Sequence, residues 1–303
     1  MSTAVFFPPD PQWRRVLADA IPPELMVTWA PTAEEAMARA ADRQCQLFLC
    51  DSTVALRDGG RVPEFLRSLP NPPRLILVCG PEVEDQFHIL VQYGISVVLP
   101  RIELPSRETL NVTLRSLLNP SESLGLGKHL PPETPVESRR IVSMNDKQQT
   151  VEEICAAVAK LKHNPFAAFD VRLVLEEMLN NALMHAFLTR DGHGRYNIAH
   201  FVSLGPDERL EVQFGFGRQV IGFAVIDNRG RLRVGDILER LRRQFSMEGV
   251  ADETGRGLFL VWALATSLVV TVLPGEVTQV VALFDLSNPL GEKSLCLFEK
   301  GRR

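Results

Sequence analysis

Apolar and polar positions along the chain follow two different patterns, and the change falls near residue 120. Before it, short apolar runs are each followed by a segment of helical periodicity. AVFF (4–7) precedes PQWRRVLADAI (11–21), LMVTW (25–29) precedes TAEEAMARAAD (32–42), and QLFLCD (46–51) precedes a helix near VPEFLRSL (62–69). RLILVCG (74–80) then precedes VEDQFHILVQYG (83–94), and SVVLP (96–100) precedes SRETLNVTLRSLL (106–118). Five strand-then-helix units predict a parallel sheet covered on both faces, a doubly wound α/β domain over residues 1–119. The stretch NPSESLGLGKHLPPETPVE that follows is rich in Pro, Ser and Gly and poor in periodic hydrophobicity, so residues 120–137 read as a linker.

From residue 138 the pattern changes. RRIVSMND (139–146) reads as a strand, TVEEICAAVAKLKH (150–163) as an amphipathic helix, and LVLEEMLNNALMHAF (173–187) as a second helix capped by Asp170. ERLEVQFGF (208–216) and QVIGFAVID (219–227) read as antiparallel neighbours joined near Gly217 and Arg218. VGDILERLRRQF (234–245) is helical, SMEGVADETGRG (246–257) a polar loop, LFLVWALATSL (258–268) a helix, and VVTVL (269–273) and QVVALFDL (279–286) strands. SLCLFEK (294–300) is a candidate for one more. Helices on one side of a mixed sheet make an α/β sandwich over residues 138–303.

Composition narrows the function classes. The 303 residues are long enough for two domains with their own cores, and 45% are hydrophobic against 23% charged. A net charge of -4 gives no pull toward nucleic acid or an anionic membrane, so neither is expected as a partner. Five scattered cysteines without CxxC or Cys/His spacing read as buried free thiols in a reducing compartment, not as a metal site. With no signal segment and no run of 18 apolar residues, a cytoplasmic protein is expected.

Three short stretches fall where strands and helices end. On the helix 173–187, Glu177, Asn181 and His185 stand four residues apart and form one polar row beside the apolar Leu175, Met178, Leu179, Ala182 and Leu183. In AVIDNRGRL (224–232) an apolar strand runs into Asp227 and a turn with Gly230. In ETGRGLFLV (253–261), Gly255 and Gly257 open a helix. Singly these features have bland readings: a solvated stripe, a turn former, a flexible entry. Jointly they suit a nucleoside triphosphate. Bare amides at a helix start suit phosphates, an Asn oxygen suits Mg²⁺, a carboxylate one turn earlier suits deprotonation of a nucleophile, and a strand-end Asp suits an exocyclic amine.

The order ExxxNxxxH, DNxG, GxGLxL resembles the GHKL ATP-binding superfamily over residues 138–288, nearest to its anti-sigma factor serine kinases. The resemblance implies that Asn181 holds Mg²⁺, that Glu177 is the general base, that Asp227 binds the adenine amino group, and that Gly255, Arg256 and Gly257 form the phosphate lid. Thr278 in EVTQVV matches a threonine that supports the adenine site, and His185 and Gly230 match the motif without a separate role. The chain departs from the family at Arg229, where glycine is expected. Either its bulk narrows the adenine floor, or it points to solvent while Gly230 makes the turn. The loop 244–254 is short for an ATP lid, and the insert FLTRDGHGRYNIAHFVSLGPDE (187–208) is long.

The first half resembles a response-regulator receiver domain, because Asp51 directly follows the third strand. That resemblance makes Asp51 a candidate phosphoacceptor. The match is partial: Asp10 alone stands near the first strand end, Cys79 and Gly80 occupy the hydroxyl position, and Pro100 and Arg101 replace a Lys-Pro pair. The alternative is a receiver-shaped docking or dimerisation module, with a homodimer as its assembly.

Other motifs read as decoys. GFGRQVIG (215–222) lacks GxGxxG spacing and reads as a hairpin turn, and GLGKHL (125–130) lacks the rest of a P-loop. Histidines 88, 129, 163, 193 and 200 show no metal spacing, and RLRRQF (240–245) reads as a solvated helix face. A sensor histidine kinase needs a phosphoacceptor helical hairpin that the proline-rich linker does not supply, and a gyrase or MutL relative needs a transducer domain after the ATP site. The expectation is therefore a Mg-ATP-binding regulator that phosphorylates Ser/Thr of an anti-sigma-antagonist-like partner or engages a sigma factor. The alternative is a non-catalytic ATP-binding module whose receiver-like domain meets a partner protein.

Overall fold

The computed structural model describes the chain except residues 1, 8–9, 43–44, 56–59, 82–83, 85–86, 162–166, 190–193, 197–202, 247–255 and 302–303, and except the side chains of Asp42, Ala167 and Arg256. It is α/β and divides into two compact units, residues 1–122 with 292–297, and residues 123–291 with 298–303.

The first unit follows the strand-then-helix alternation. Its elements are β1 (Ser2–Phe7), α1 (Pro11–Ala20), β2 (Leu25–Trp29), α2 (Ala33–Asp42), β3 (Leu47–Asp51), α3 (Ser52–Ala55), α4 (Arg61–Ser68), β4 (Arg74–Cys79), α5 (Phe87–Tyr93), β5 (Val97–Pro100) and α6 (Arg107–Leu118). The strands run parallel in the order β2-β1-β3-β4-β5. Every residue of β3 and β5, and all of β4 but Arg74, is buried, as expected of parallel strands covered on both faces. Asp10 starts α1 by accepting hydrogen bonds from Gln12 N and Trp13 N on Oδ1.

The second unit holds β6 (Val136–Ile141), α7 (Met144–Ala159), α8 (Ala167–His185), β7 (Leu210–Phe216), β8 (Val220–Asp227), α9 (Val234–Phe245), α10 (Arg256–Leu264), β9 (Ser267–Leu273) and β10 (Val277–Asp285). The strand order is β9-β10-β8-β7-β6, and every neighbouring pair is antiparallel, where a mixed sheet was expected. The reason is local: β7 and β8 form a hairpin, and β9 and β10 form another. The expected strand 139–146 ends at Ile141. Ser143 and Asp146 form a capping box that starts α7 at Met144, so MND is helical. Asp170 lies within the first turn of α8, not ahead of it. SLCLFEK does form a strand, β11 (Ser294–Glu299), but its residues up to Leu297 belong to the first unit, where Leu295 and Cys296 pair antiparallel with Val98 and Val97.

The residues read as linker have a defined place. A short 3-10 turn, Leu126–Lys128, carries the chain over β7 and β8 on one face of the second unit's sheet. Gly215 and Gly222 sit opposite each other across β7 and β8 and leave a trough without Cβ atoms. A Cβ at Gly215 would stand 2.6 Å from Leu130 Cδ1, and one at Gly222 would stand 3.1 Å from Leu126 Cδ1 and Leu130 Cδ2. The two glycine motifs GLGKHL and GFGRQVIG are thus the two sides of one packing contact.

Polar groups fix its register. Gly125 N donates to Gln279 Oε1 at 2.7 Å, Leu126 N to Gln213 Oε1 at 2.9 Å, and Gln279 Nε2 to Ser123 O at 2.9 Å. His129 Nε2 donates to the same carbonyl at 2.8 Å, which requires a proton on Nε2. All five cysteines are buried and free, and among the described residues no helix is long and apolar enough to cross a membrane.

Burial lowers the pKa of His129 from its ordinary 6.5, although part of the residue stays at the surface. The unfolded chain therefore takes up this proton first, and the stability present above pH 6.5 is lost as pH falls through the folded value. A denaturant midpoint followed from pH 7.5 to 5 falls in the wild type. In His129→Gln, which keeps a donor for Ser123 O and cannot titrate, it falls less.

Candidate functional site

On α8 the buried residues Val171, Val174, Leu175, Met178, Leu179 and Leu183 recur at helical spacing and face the core. Beside them Glu177, Asn181 and His185 form the expected row, each half-buried. The start of α10 presses on this row. A Cβ at Gly257 would stand 2.5 Å from Glu177 Oε2 and 2.7 Å from Asn181 Nδ2. Only glycine lets the first turn of α10 come this close. Asn181 Nδ2 is buried and has no hydrogen-bond partner.

The charges around the row are set by burial. Glu177 has a raised pKa, first from burial and then from Glu176, with Lys147 pulling the other way. His185 is held toward its neutral form by burial and by Arg240 of α9. Lys147 of α7 is only 7% exposed, and its Nζ donates to Asn180 Oδ1 at 2.6 Å. Burial lowers its pKa, while Glu176 and Glu177 support its charge. Sequence reasoning missed Lys147 and Asn180. No spacing within α8 points to a cation arriving from α7, and Asn180 stands one position off the row of Glu177, Asn181 and His185.

A second group forms where β8 ends against β10, with α8 packed on β8. Asp227 is 5% exposed, and Thr278 is its direct partner across the two strands. Both alternate to the face opposite the Gly215 and Gly222 trough. Asp227 Oδ1 accepts from Arg229 N at 2.8 Å and Gly230 N at 3.3 Å. Burial pushes the Asp227 carboxyl up to about 6 against the pull of these bonds. The Thr278 hydroxyl favours the charged carboxylate, yet by distance and angle it completes no hydrogen bond. Thr278 Oγ1 is thus a buried polar atom with a bond still to make.

Gly230 has φ +55, and a Cβ there would lie 2.0 Å from Leu273 O, so its bare α-carbon makes room for the turn between β9 and β10. The Arg229 side chain leaves the turn altogether. Its Nη2 donates to Asp207 O at 3.2 Å and its guanidinium lies 6.0 Å from the Phe187 ring centre. Arg256 opens α10, with its side chain outside the described residues, and Gly255 lies outside them too.

Asp51 belongs to the first unit. Its carboxylate accepts from Arg101 Nε at 2.8 Å, Arg101 Nη2 at 3.4 Å, Thr53 N at 2.7 Å and the Thr53 hydroxyl. Arg101 Nη2 also donates to Ser52 Oγ at 2.8 Å. The surrounding crevice of about 320 Å³ is lined by Phe7, Asp10, Asp51, Thr53, Val54 and Arg101. It opens where the strand order reverses between β1 and β3, the usual ligand position of a doubly wound sheet. Among the described residues no group of three His, Cys, Asp or Glu is placed to hold a metal ion.

The second unit therefore presents a half-buried carboxylate and an unpartnered amide against a bare helix start, and a buried carboxylate with an unpartnered hydroxyl at the end of β8. No family model matches the chain, and no curated protein matches it. Solved structures similar to it include that of the response regulator LqsR of Legionella pneumophila, 10% identical, with 100% of this chain and 89% of that one covered at a TM-score of 0.32. A likeness of that size carries no argument.

Because folding raises the Asp227 pKa from 3.8 to about 6, the carboxyl favours the fold when protonated and opposes it once ionised. That stability is present below pH 3.8 and is lost as pH rises through 6. Asp227→Asn keeps the shape and cannot ionise. Its denaturant stability matches wild type at pH 4 and exceeds it at pH 7.5 by on the order of 2–3 kcal/mol.

Proposed function

We propose that the second unit binds Mg-ATP in the manner of the GHKL superfamily it resembles, and that the protein transfers a phosphoryl group from ATP to Ser or Thr of a partner protein. The contact of Gly257 with Glu177 and Asn181 carries this reading. The residues fit the ligand in three respects. Asn181 Nδ2 is a buried donor without a partner, which suits a phosphate oxygen, Gly257 lets the start of α10 lie directly against Glu177 and Asn181, and the Thr278 hydroxyl is buried without a partner across from Asp227.

In this reading the Asn181 amide oxygen binds the cation, which needs only one or two protein ligands. Bound Mg²⁺ supplies charge neutralisation on the phosphates. Backbone N–H groups at the start of α10 hold phosphate oxygens. Asp227 accepts a hydrogen bond from the adenine amine, with the Thr278 hydroxyl beside it. Glu177 takes the proton of the partner's hydroxyl as its oxygen bonds to phosphorus and the bond to ADP breaks. Burial makes Glu177 a stronger base, and positioning supplies most of what phosphoryl transfer needs.

We read the first unit as a receiver-shaped docking module. Arg101 and Thr53 already occupy the Asp51 oxygens, and Asp10 caps α1, which favours docking over acceptance of a phosphoryl group. The partner is an anti-sigma-antagonist-like protein or a sigma factor, in a cytoplasmic setting that suits five free cysteines.

Calorimetric titration tests the proposal. Wild type binds Mg-ATP, and Asn181→Ala binds it at least about tenfold more weakly. Glu177→Gln binds like wild type but transfers no label from γ-labelled ATP to the partner. Wild type that takes up no Mg-ATP overturns the reading. Binding without transfer to any partner leaves a nucleotide-set binding module in its place.

A further inference from the structure

The two edges of the first unit's sheet are treated differently. Along β5 the edge is closed: Leu295 and Cys296 of β11 pair with Val98 and Val97, and Leu297 N donates to Ser96 O at 2.8 Å. Among the described residues β2 pairs with β1 alone, so its outer side is open. The register fixes which groups face out. Ser2 N donates to Glu24 O at 3.2 Å and Ala30 N to Phe6 O at 3.0 Å, so the even-numbered residues turn their N–H and C=O groups to β1. Leu25, Val27 and Trp29 turn theirs outward. Two of these groups are taken within the chain, Leu25 N by Pro22 O at 3.0 Å and Trp29 O by Arg39 Nη1 at 3.1 Å. The N–H and C=O of Val27, the C=O of Leu25 and the N–H of Trp29 have no partner among the described residues.

These open groups complement themselves. When two copies of β2 run antiparallel about a two-fold axis at Val27, the N–H of each Val27 meets the C=O of the other, and the N–H of each Trp29 meets the C=O of the other copy's Leu25. The side chains suit the pairing. LMVTW carries neither charge nor proline, two of the devices that keep an edge strand from pairing, and Met26 is 44% exposed. The two ends differ in charge. Exposed Glu24 stands just ahead of β2, while at the Trp29 end Arg39 holds the carbonyl and the Arg14 guanidinium lies 5.2 Å from the ring centre. An antiparallel pair brings the Glu24 of each copy to the arginines of the other.

We infer that β2 is a homodimerisation edge, at which two copies of this chain join their first units in an antiparallel strand pair centred on Val27. The partner is a second copy because both the open backbone groups and the end charges match their own rotated image. The inference names an occupant for the docking module and does not depend on the reading of the second unit as a nucleotide site.

The pair is short, so sedimentation velocity is run over a concentration series reaching about 100 μM. Wild type passes from monomer to dimer along the series. Val27→Pro removes a central donor that plays no part in pairing with β1, at an edge position that tolerates proline, and weakens the dimer at least about tenfold. Met26→Lys changes an exposed side chain, sets a charge on the edge and has the same effect. Circular dichroism and a denaturant midpoint like those of wild type show that a variant keeps its fold. Cysteines read the register, since the five native thiols are buried. With diamide as oxidant, Val27→Cys gives a covalent dimer across a Cα separation of about 5.5 Å, and Met26→Cys, about 8 Å from its counterpart, does not. The inference is overturned if wild type stays monomeric throughout, if Met26→Lys folds normally and dimerises like wild type, or if Met26→Cys cross-links as readily as Val27→Cys.

Discussion

The candidate site depends on one steric fact: there is no room for a side chain at Gly257. A Cβ there would stand 2.5 Å from Glu177 and 2.7 Å from Asn181, well inside contact distance. Its absence lets the start of α10 lie on the polar row of α8, so that the first backbone turn of α10 and two polar side chains share one small volume. Set four residues apart on one helix, Glu177 and Asn181 cannot avoid each other, and α10 adds the third wall.

The arrangement is held at a cost that folding alone does not require. Asp227 is buried and resists ionisation, Asn181 and Thr278 carry unpartnered buried atoms, and Lys147 is drawn under α8 with most of its surface lost. Each opposes stability, and together they lie at the ends of α8 and β8. Polar groups left wanting partners in one region mark a place built for something that completes them. On the opposite sheet face Leu126 and Leu130 close over Gly215 and Gly222 with Gln213 and Gln279 satisfied by the strap, and there the Thr134 hydroxyl alone among the described residues of that contact is buried without a partner.

Much of the fold was legible in the sequence because one physical rule governed each part. The buried runs LFLCD and RLILVC have the continuous hydrophobicity of central parallel strands, and the polar row of α8 follows from helical spacing alone. What escaped depends on contacts between distant residues. The composition of 120–137 says linker, and nothing local reveals that its leucines fill a trough made by two glycines ninety residues later. Local sequence makes SLCLFEK a strand without saying which unit it joins. Lys147 reaches the site across a helix interface, and only the fold decides that Arg229 swings toward Phe187 and Asp207, away from the floor of the pocket. Where an element is set by its neighbours in sequence the pattern shows it, and where a contact is set by a partner far along the chain the fold was needed.

The most direct test of the account is a crystal structure of the protein with Mg²⁺ and a non-hydrolysable ATP analogue. The account predicts the phosphates at the start of α10 with the cation on the Asn181 side chain, and the adenine amine against Asp227 with Thr278 beside it. A nucleotide bound elsewhere, or one whose phosphates leave Asn181 and Gly257 untouched, would contradict it.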